Sequence, residues 1–116
     1  MYMEDLEMYR AILDSVPYPI VFADADHIIR YLNKTAKYKY YEMRGYEDLI
    51  GKSLFDCHAP ASREKIIAGI EKLKNHGNEI FVGVNVANQR LYINPVRDET
   101  GKLIGYFERY EMNLQK

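Results

Sequence analysis

Apolar positions recur at helical spacing through the first sixteen residues. Tyr2, Leu6, Tyr9 and Leu13 fall four, three and four apart, which places them on one stripe of an amphipathic helix, and Met3, Ile12 and Val16 widen it. Pro17 and Pro19 end the pattern, because proline lacks the amide hydrogen that a helix interior needs. The period then changes. Pro19-Ile20-Val21-Phe22-Ala23 and Ile28-Ile29-Arg30-Tyr31-Leu32 are short apolar runs on either side of a turn-like Asp24-Ala25-Asp26-His27, so a strand hairpin is expected. Asn33 can accept a backbone N–H, and predicts the cap of a helix from about Lys34 to Tyr41 that Gly45 breaks. Tyr46 to Gly51 reads as one more helical turn closed by glycine.

In the second half, Leu54 to Pro60 is a short connection and Ser62 offers a cap. Ile66, Ile67, Ile70 and Leu73 mark the apolar face of a longer helix ending near His76-Gly77. Ile80, Val82, Val84 and Val86 alternate with Phe81, Gly83 and Asn85, which is strand periodicity. Asn88 and Gln89 mark a turn, Arg90 to Arg97 is a further alternating strand, and Asp98-Glu99-Thr100-Gly101 is a tight acidic turn into a last strand from Lys102. Antiparallel strands with helices gathered between them imply an α+β layer arrangement.

Composition narrows the function. With 116 residues there is room for one domain and a core that needs no disulfide or structural metal. The divisions expected are an N-terminal helix over 1–16, a domain over 17–112 and a tail over 113–116. A formal net charge of −1 argues against a nucleic-acid partner. Cys57 is the sole cysteine, so no internal disulfide can form, and no apolar run is long enough to span a membrane or read as a signal peptide. A soluble cytoplasmic domain without a membrane partner is the expectation.

Several segments, taken in order, carry a family resemblance. They are Ile12-Leu13-Asp14-Ser15-Val16-Pro17, then Asn33 after the second strand, then Asp48-Leu49-Ile50-Gly51-Lys52-Ser53-Leu54-Phe55-Asp56, and finally the hairpin from Arg90 to Tyr106. Together they resemble a PAS domain, a small sensory module, over roughly Ile12 to Met112. The resemblance implies a five-stranded antiparallel sheet whose one face carries short helices and one longer helix, and these can enclose a ligand cavity. It further implies a non-enzymatic module of bacterial or archaeal signal transduction that binds a small ligand or forms a homodimer, with output through another domain or a protein partner. The stripe Tyr2, Leu6, Tyr9 and Leu13 is the candidate dimer interface. Flavin photochemistry in this family uses a motif resembling Gly-x-Asn-Cys-Arg-Phe. In Gly51-Lys52-Ser53-Leu54-Phe55, Leu54 stands where the reactive cysteine belongs, so flavin photochemistry is not expected. None of the three histidines lies inside the longer helix, where one haem branch carries its axial ligand, and no Cys-x-x-Cys-His run offers covalent haem attachment.

Candidate ligand contacts remain. Cys57-His58-Ala59-Pro60-Ala61-Ser62 is similar to a Cys-His-Pro-Pro-x-Ser run of PAS-like domains fused to hemerythrin-like domains. Cys57 thiolate or His58 imidazole could therefore ligate haem iron or another soft metal. The plainer reading, a buried thiol and a histidine bonded to the loop backbone, carries more weight. Asn85 and Asn94 interrupt apolar strands. If Val82, Val84 and Val86 face the helices, then Asn85, with Tyr92 and Asn94, faces solvent or a partner. The opposite register makes Asn85 and Asn94 a cavity pair. Tyr38 and Tyr41 are the candidate aromatic contacts, from the family's habit of using the first short helix as a cavity wall. Lys34, Lys37 and Lys39 read as a solvated face. An enzyme site around Asp56, Cys57 and His58 lacks an identifiable base partner or oxyanion donor, so none is expected.

Overall fold

The computed structural model describes residues 4–57, 60–74 and 77–114. Helix α1 (Asp5–Asp14) buries none of its residues. Its C-terminal end is tied down: Asn33 Nδ2 donates to the Leu13 carbonyl at 3.0 Å, and Asp14 Oδ1 accepts the Lys34 amide at 2.8 Å. Strands β1 (Val21–Asp24) and β2 (Ile29–Leu32) form the first hairpin. Its turn works because Asp24 Oδ1 accepts the amides of Asp26 and Ile28, while His27 takes a φ of 65°, a conformation in which histidine is among the better tolerated side chains.

Asn33, fully buried, is the cap that the sequence announces. Its Oδ1 accepts from Ala36 and Ile20 at 2.9 Å each, and its Nδ2 donates to Leu13 and Tyr18. The helix it starts does not run on as α-helix to Tyr41. After α2 (Lys34–Lys37) the chain widens into a π-helix over Tyr38–Met43, closed by the Arg44 amide on the Lys39 carbonyl five residues back. The helical turn expected at Tyr46–Gly51 is absent. The Leu49 amide bonds the Tyr41 hydroxyl and the Ile50 amide bonds Asp48 Oδ1, so side chains take the donors that an α-turn would use.

A 3₁₀ turn (Leu54–Cys57) leads to α3 (Pro60–Leu73), which starts at Pro60, two residues ahead of Ser62. Proline suits a first turn, where its missing N–H would have no partner. The far end of α3 is held by Arg97, whose Nη2 donates to the carbonyls of Leu73 and Gly77. Strands β3 (Ile80–Val84), β4 (Gln89–Arg97) and β5 (Leu103–Met112) complete one antiparallel sheet in the order β2-β1-β5-β4-β3. Asp98 Oδ1 accepts the amides of Thr100 and Lys102, and Gly101 takes a φ of 85°, which builds the tight turn before β5.

This is the expected α+β arrangement. Its core lies between α3, α2 and one face of the sheet, on Ala23, Ile29, Leu32, Ile70, Ile93 and Tyr106. Gly69 lets α3 approach closely, since a Cβ there would stand 3.1 Å from Ile93 Cδ1. The simple alternation expected from Ile80 to Val86 fails. A register shift between Phe81 and Gly83 inserts Val82 as a bulge, Val82 packs on the core, and Val84 and Val86 point to solvent.

Candidate functional site

The register of β4 on β5 decides which side chains share the helix-covered face. Leu91 pairs with Tyr110, Ile93 with Glu108 and Pro95 with Tyr106, so these six face α3 and the π-helix. Their alternates Tyr92, Asn94, Phe107 and Arg109 face away. On the covered face a half-open cleft of about 600 Å³ runs between the π-helix, α3 and strands β3 to β5. That volume lies within the range of about 300–1,000 Å³ usual for small-molecule sites. Ile66 of α3, Val82 of the bulge, Leu91 and Ile93 supply its apolar lining.

Its polar lining comes mostly from the π-helix. An i→i+5 turn stacks residues five apart on one side of the helix, whereas an α-turn would separate them. Lys39 and Arg44 are thereby brought together beside Tyr40: the Lys39 Nζ lies 5.5 Å from the Tyr40 ring centre, and the Arg44 guanidinium also lies 5.5 Å from it. Lys39 reaches across to Tyr110 as well, again at 5.5 Å. Burial pulls the Lys39 ammonium below its ordinary value, the nearby Arg44 charge pulls it further, and Glu108 opposes both. Tyr110 donates to Glu108 Oε2 at 3.2 Å, and burial followed by the Glu108 charge pushes its hydroxyl far above the usual tyrosine value. Lys65 stands at the rim on α3.

Tyr40, Glu108 and Tyr110 also wall a small void of about 20 Å³ whose other sides include Val21, Leu49, Leu54 and Tyr106. Such a void is about the size of a single water. They form a partition between a packed interior and the open cleft.

The residues expected from the sequence are scattered by this geometry. Tyr38 is exposed to solvent, and Tyr41 is spent on Asp48 and the Leu49 amide, so neither lines the cleft. Tyr40 does, and it is 7 % exposed. Its signal was the four-residue spacing from Ala36, the buried residue after the cap. Asn85 lines the cleft mouth, but its amide is committed to the turn: Oδ1 accepts from Ala87 and Gln89, and Nδ2 donates to Gln89 Oε1. Asn94 sits on the opposite face of the sheet, so the two asparagines are not a cavity pair. The Val82 bulge is the reason, because it breaks the alternation from which both positions were read. Lys34 and Lys37 are solvated, and Lys39 turns into the cleft instead.

His58 and the side chain of Cys57 lie outside the described residues, as do Tyr2 and His76. Among the described residues no group of three or more His, Cys, Asp and Glu is placed to hold a metal. His27 is turned inward, with Nδ1 2.7 Å from the Tyr106 hydroxyl and its ring against Phe55. Of the stripe expected to dimerise, Leu6 and Tyr9 are 61 % and 56 % exposed, whereas Leu13 is half-buried. The described residues contain no helix long and apolar enough to cross a membrane.

A family model described as the PAS fold matches residues 13–111, the span that holds the sheet of order 2-1-5-4-3 and its cleft. The chain belongs to the PAS-fold family. Solved structures show how closely the architecture is kept. The PAS domain of a protein from Colwellia psychrerythraea superposes with a TM-score of 0.68 at 17 % identity, covering 97 % of this chain and 100 % of that one. A C-terminal domain from Streptococcus mutans gives 0.73 at 20 %, covering 97 % and 90 %. A sensory box sensor histidine kinase from Vibrio cholerae gives 0.61 at 17 %, covering 95 % and 93 %. At these identities the likeness is one of fold alone. No curated protein matches the chain.

Proposed function

We propose that this PAS domain is the sensory module of a signal-transduction protein, without catalytic activity of its own, and that it binds a small molecule in the cleft under the π-helix and α3. The observation that carries the reading is the cleft itself. It is large enough for a metabolite, half apolar, and lined by polar groups from three different elements. Occupancy would favour one packing of the π-helix over another, and the sheet would pass that bias to α1 and to an output domain or partner. The module is proposed to act in the cytoplasm of a bacterium or archaeon. Native mass spectrometry and a visible spectrum of freshly purified protein test it. A bound small-molecule mass that Leu91→Trp abolishes supports the reading. A Soret band that disappears in Cys57→Ser or His58→Ala would overturn it in favour of a haem sensor. A protein that acquires no mass from any metabolite pool also sinks it.

A homodimer through α1 completes the proposal. Leu6, Tyr9 and Ile12 remain more than half exposed, so this domain does not cover them itself. Leu6→Glu with Tyr9→Glu should convert a dimer to a monomer in sedimentation equilibrium, and an unchanged dimer mass would remove α1 from the interface.

A further inference from the structure

The cleft has a chemical preference that its fold does not impose. Three cations, Lys39, Arg44 and Lys65, line it against one carboxylate, Glu108. Two of the three lie against one tyrosine ring, and the Arg44 charge raises the cost of keeping Lys39 charged. Glu108 offsets this in part, but it is also the acceptor of the Tyr110 hydroxyl. An anion seated between Lys39 and Arg44 would turn their mutual repulsion into two attractions and gain charge-assisted hydrogen bonds in a partly desolvated site. Below that point the lining is apolar, on Ile66, Val82, Leu91 and Ile93.

Resting on the reading of this cleft as a ligand site, we propose that its ligand is a small organic anion: a carboxylate or similar group held by Lys39 and Arg44, on a flat or branched apolar body that lies over Ile93 and Val82. The π-helix is the device that makes the site. If residues 38–43 formed an ordinary α-helix, Lys39 and Arg44 would leave it on different sides. Lys65, on α3 at the mouth, adds positive potential from the opposite wall and would draw an anion in from solution.

The test is a titration of the ¹⁵N-labelled full chain with 2-naphthoate and with 2-naphthamide, followed by amide shifts in NMR. The two probes share their rings and differ in charge. Naphthoate is expected to shift the Ile66, Gly83 and Asn85 amides and to bind about ten-fold more tightly than naphthamide. Lys39→Met with Arg44→Met should bring the two within about two-fold. Lys65→Met, an exposed site that does not endanger the fold, should weaken naphthoate by about two-fold. Equal binding of the two probes to the cleft overturns the anion assignment and leaves the cleft reading standing, as does a preference that survives the double substitution. Shifts confined to α1 or the outer sheet face, or no shifts at all, overturn the cleft reading with it.

Discussion

At the β1–β2 end of the covered face, buried polar groups are matched one to one. Asn33 makes four hydrogen bonds at 0 % exposure, and His27 meets the Tyr106 hydroxyl with its ring against Phe55. At the β3 end the same sheet face opens into the cleft, and cations of like sign share one aromatic ring. Tyr40, Glu108 and Tyr110 divide the two. One end is arranged for stability. The other holds Lys39 where burial and the Arg44 charge disfavour its ammonium and Glu108 opposes both, a balance that the proposed anion would shift.

Substitution should separate the two ends by sign. Asn33→Ala is expected to have the largest effect, because it strands the Ala36 and Ile20 amides and the Tyr18 carbonyl around a buried hole. A loss of about 3–4 kcal/mol, read from urea denaturation, would agree with a buried network and a helix cap removed together. A loss below about 1 kcal/mol would show that this end is less constrained than its bonding implies. Tyr106→Phe removes one hydroxyl and leaves His27 Nδ1 facing a ring. It should destabilise by about 1–2 kcal/mol without altering ligand affinity, since the hydroxyl lies on the far side of the partition.

Much of the closed end can be read directly from residues. Asn33 before Lys34, the acidic turn at Asp98 with Gly101, and the helical face of Ile70 and Leu73 each announce themselves by local chemistry. The signal lies in a partner a few residues away, as Ala36 is for Asn33, or in one periodic face. The open end depends on two departures from periodicity. The π-helix inserts a residue into a helical count and exchanges Tyr38 and Tyr41 for Tyr40. The bulge at Val82 inserts one into a strand and sends Val84 outward while separating Asn85 from Asn94. A period of 2 or 3.6 carries no information about where it is interrupted. The aromatic run and the lysines at 34, 37 and 39 are visible in the sequence, but which of them enters the cleft is set by that one extra residue.

The pH dependence sharpens the contrast further. Burial, and then the Lys74 charge, hold the His27 imidazole below its ordinary value of 6.5, so the folded protein binds its proton less readily than the unfolded chain. Stability from this group is complete above pH 6.5 and is lost as pH falls through that value toward the depressed folded one. Asp24 adds a loss only in stronger acid: burial raises its carboxyl, but the Arg30 bond and two backbone amides outweigh that and hold it below 3.8. Thermal melts at pH 8 and pH 5 should therefore show a smaller fall in His27→Asn than in the parent, asparagine being suited to the φ of 65° at this turn. Equal falls would place the acid sensitivity elsewhere.

The smallest effect is the one that distinguishes the open end most directly. Lys39 is disfavoured as a cation by burial and by Arg44, so the folded state loses stability wherever the group is charged in both states, neutral pH included. Lys39→Met keeps most of the stem that lies against Tyr40 and Tyr110 and removes the charge. It should stabilise the free protein by about 0.5 kcal/mol at pH 7, a modest figure because the group is only half-buried and solvent screens the repulsion. The gain should shrink as the pH approaches 10.5, where the lysine deprotonates in the unfolded chain as well. At the closed end Asn33→Ala and Tyr106→Phe lower stability, and Tyr106→Phe spares affinity. Here a gain in stability should accompany a loss of affinity for 2-naphthoate. If Lys39→Met instead destabilised the protein, the lysine would be a structural partner of Glu108, and the conflict over Tyr40 would already be resolved within the fold.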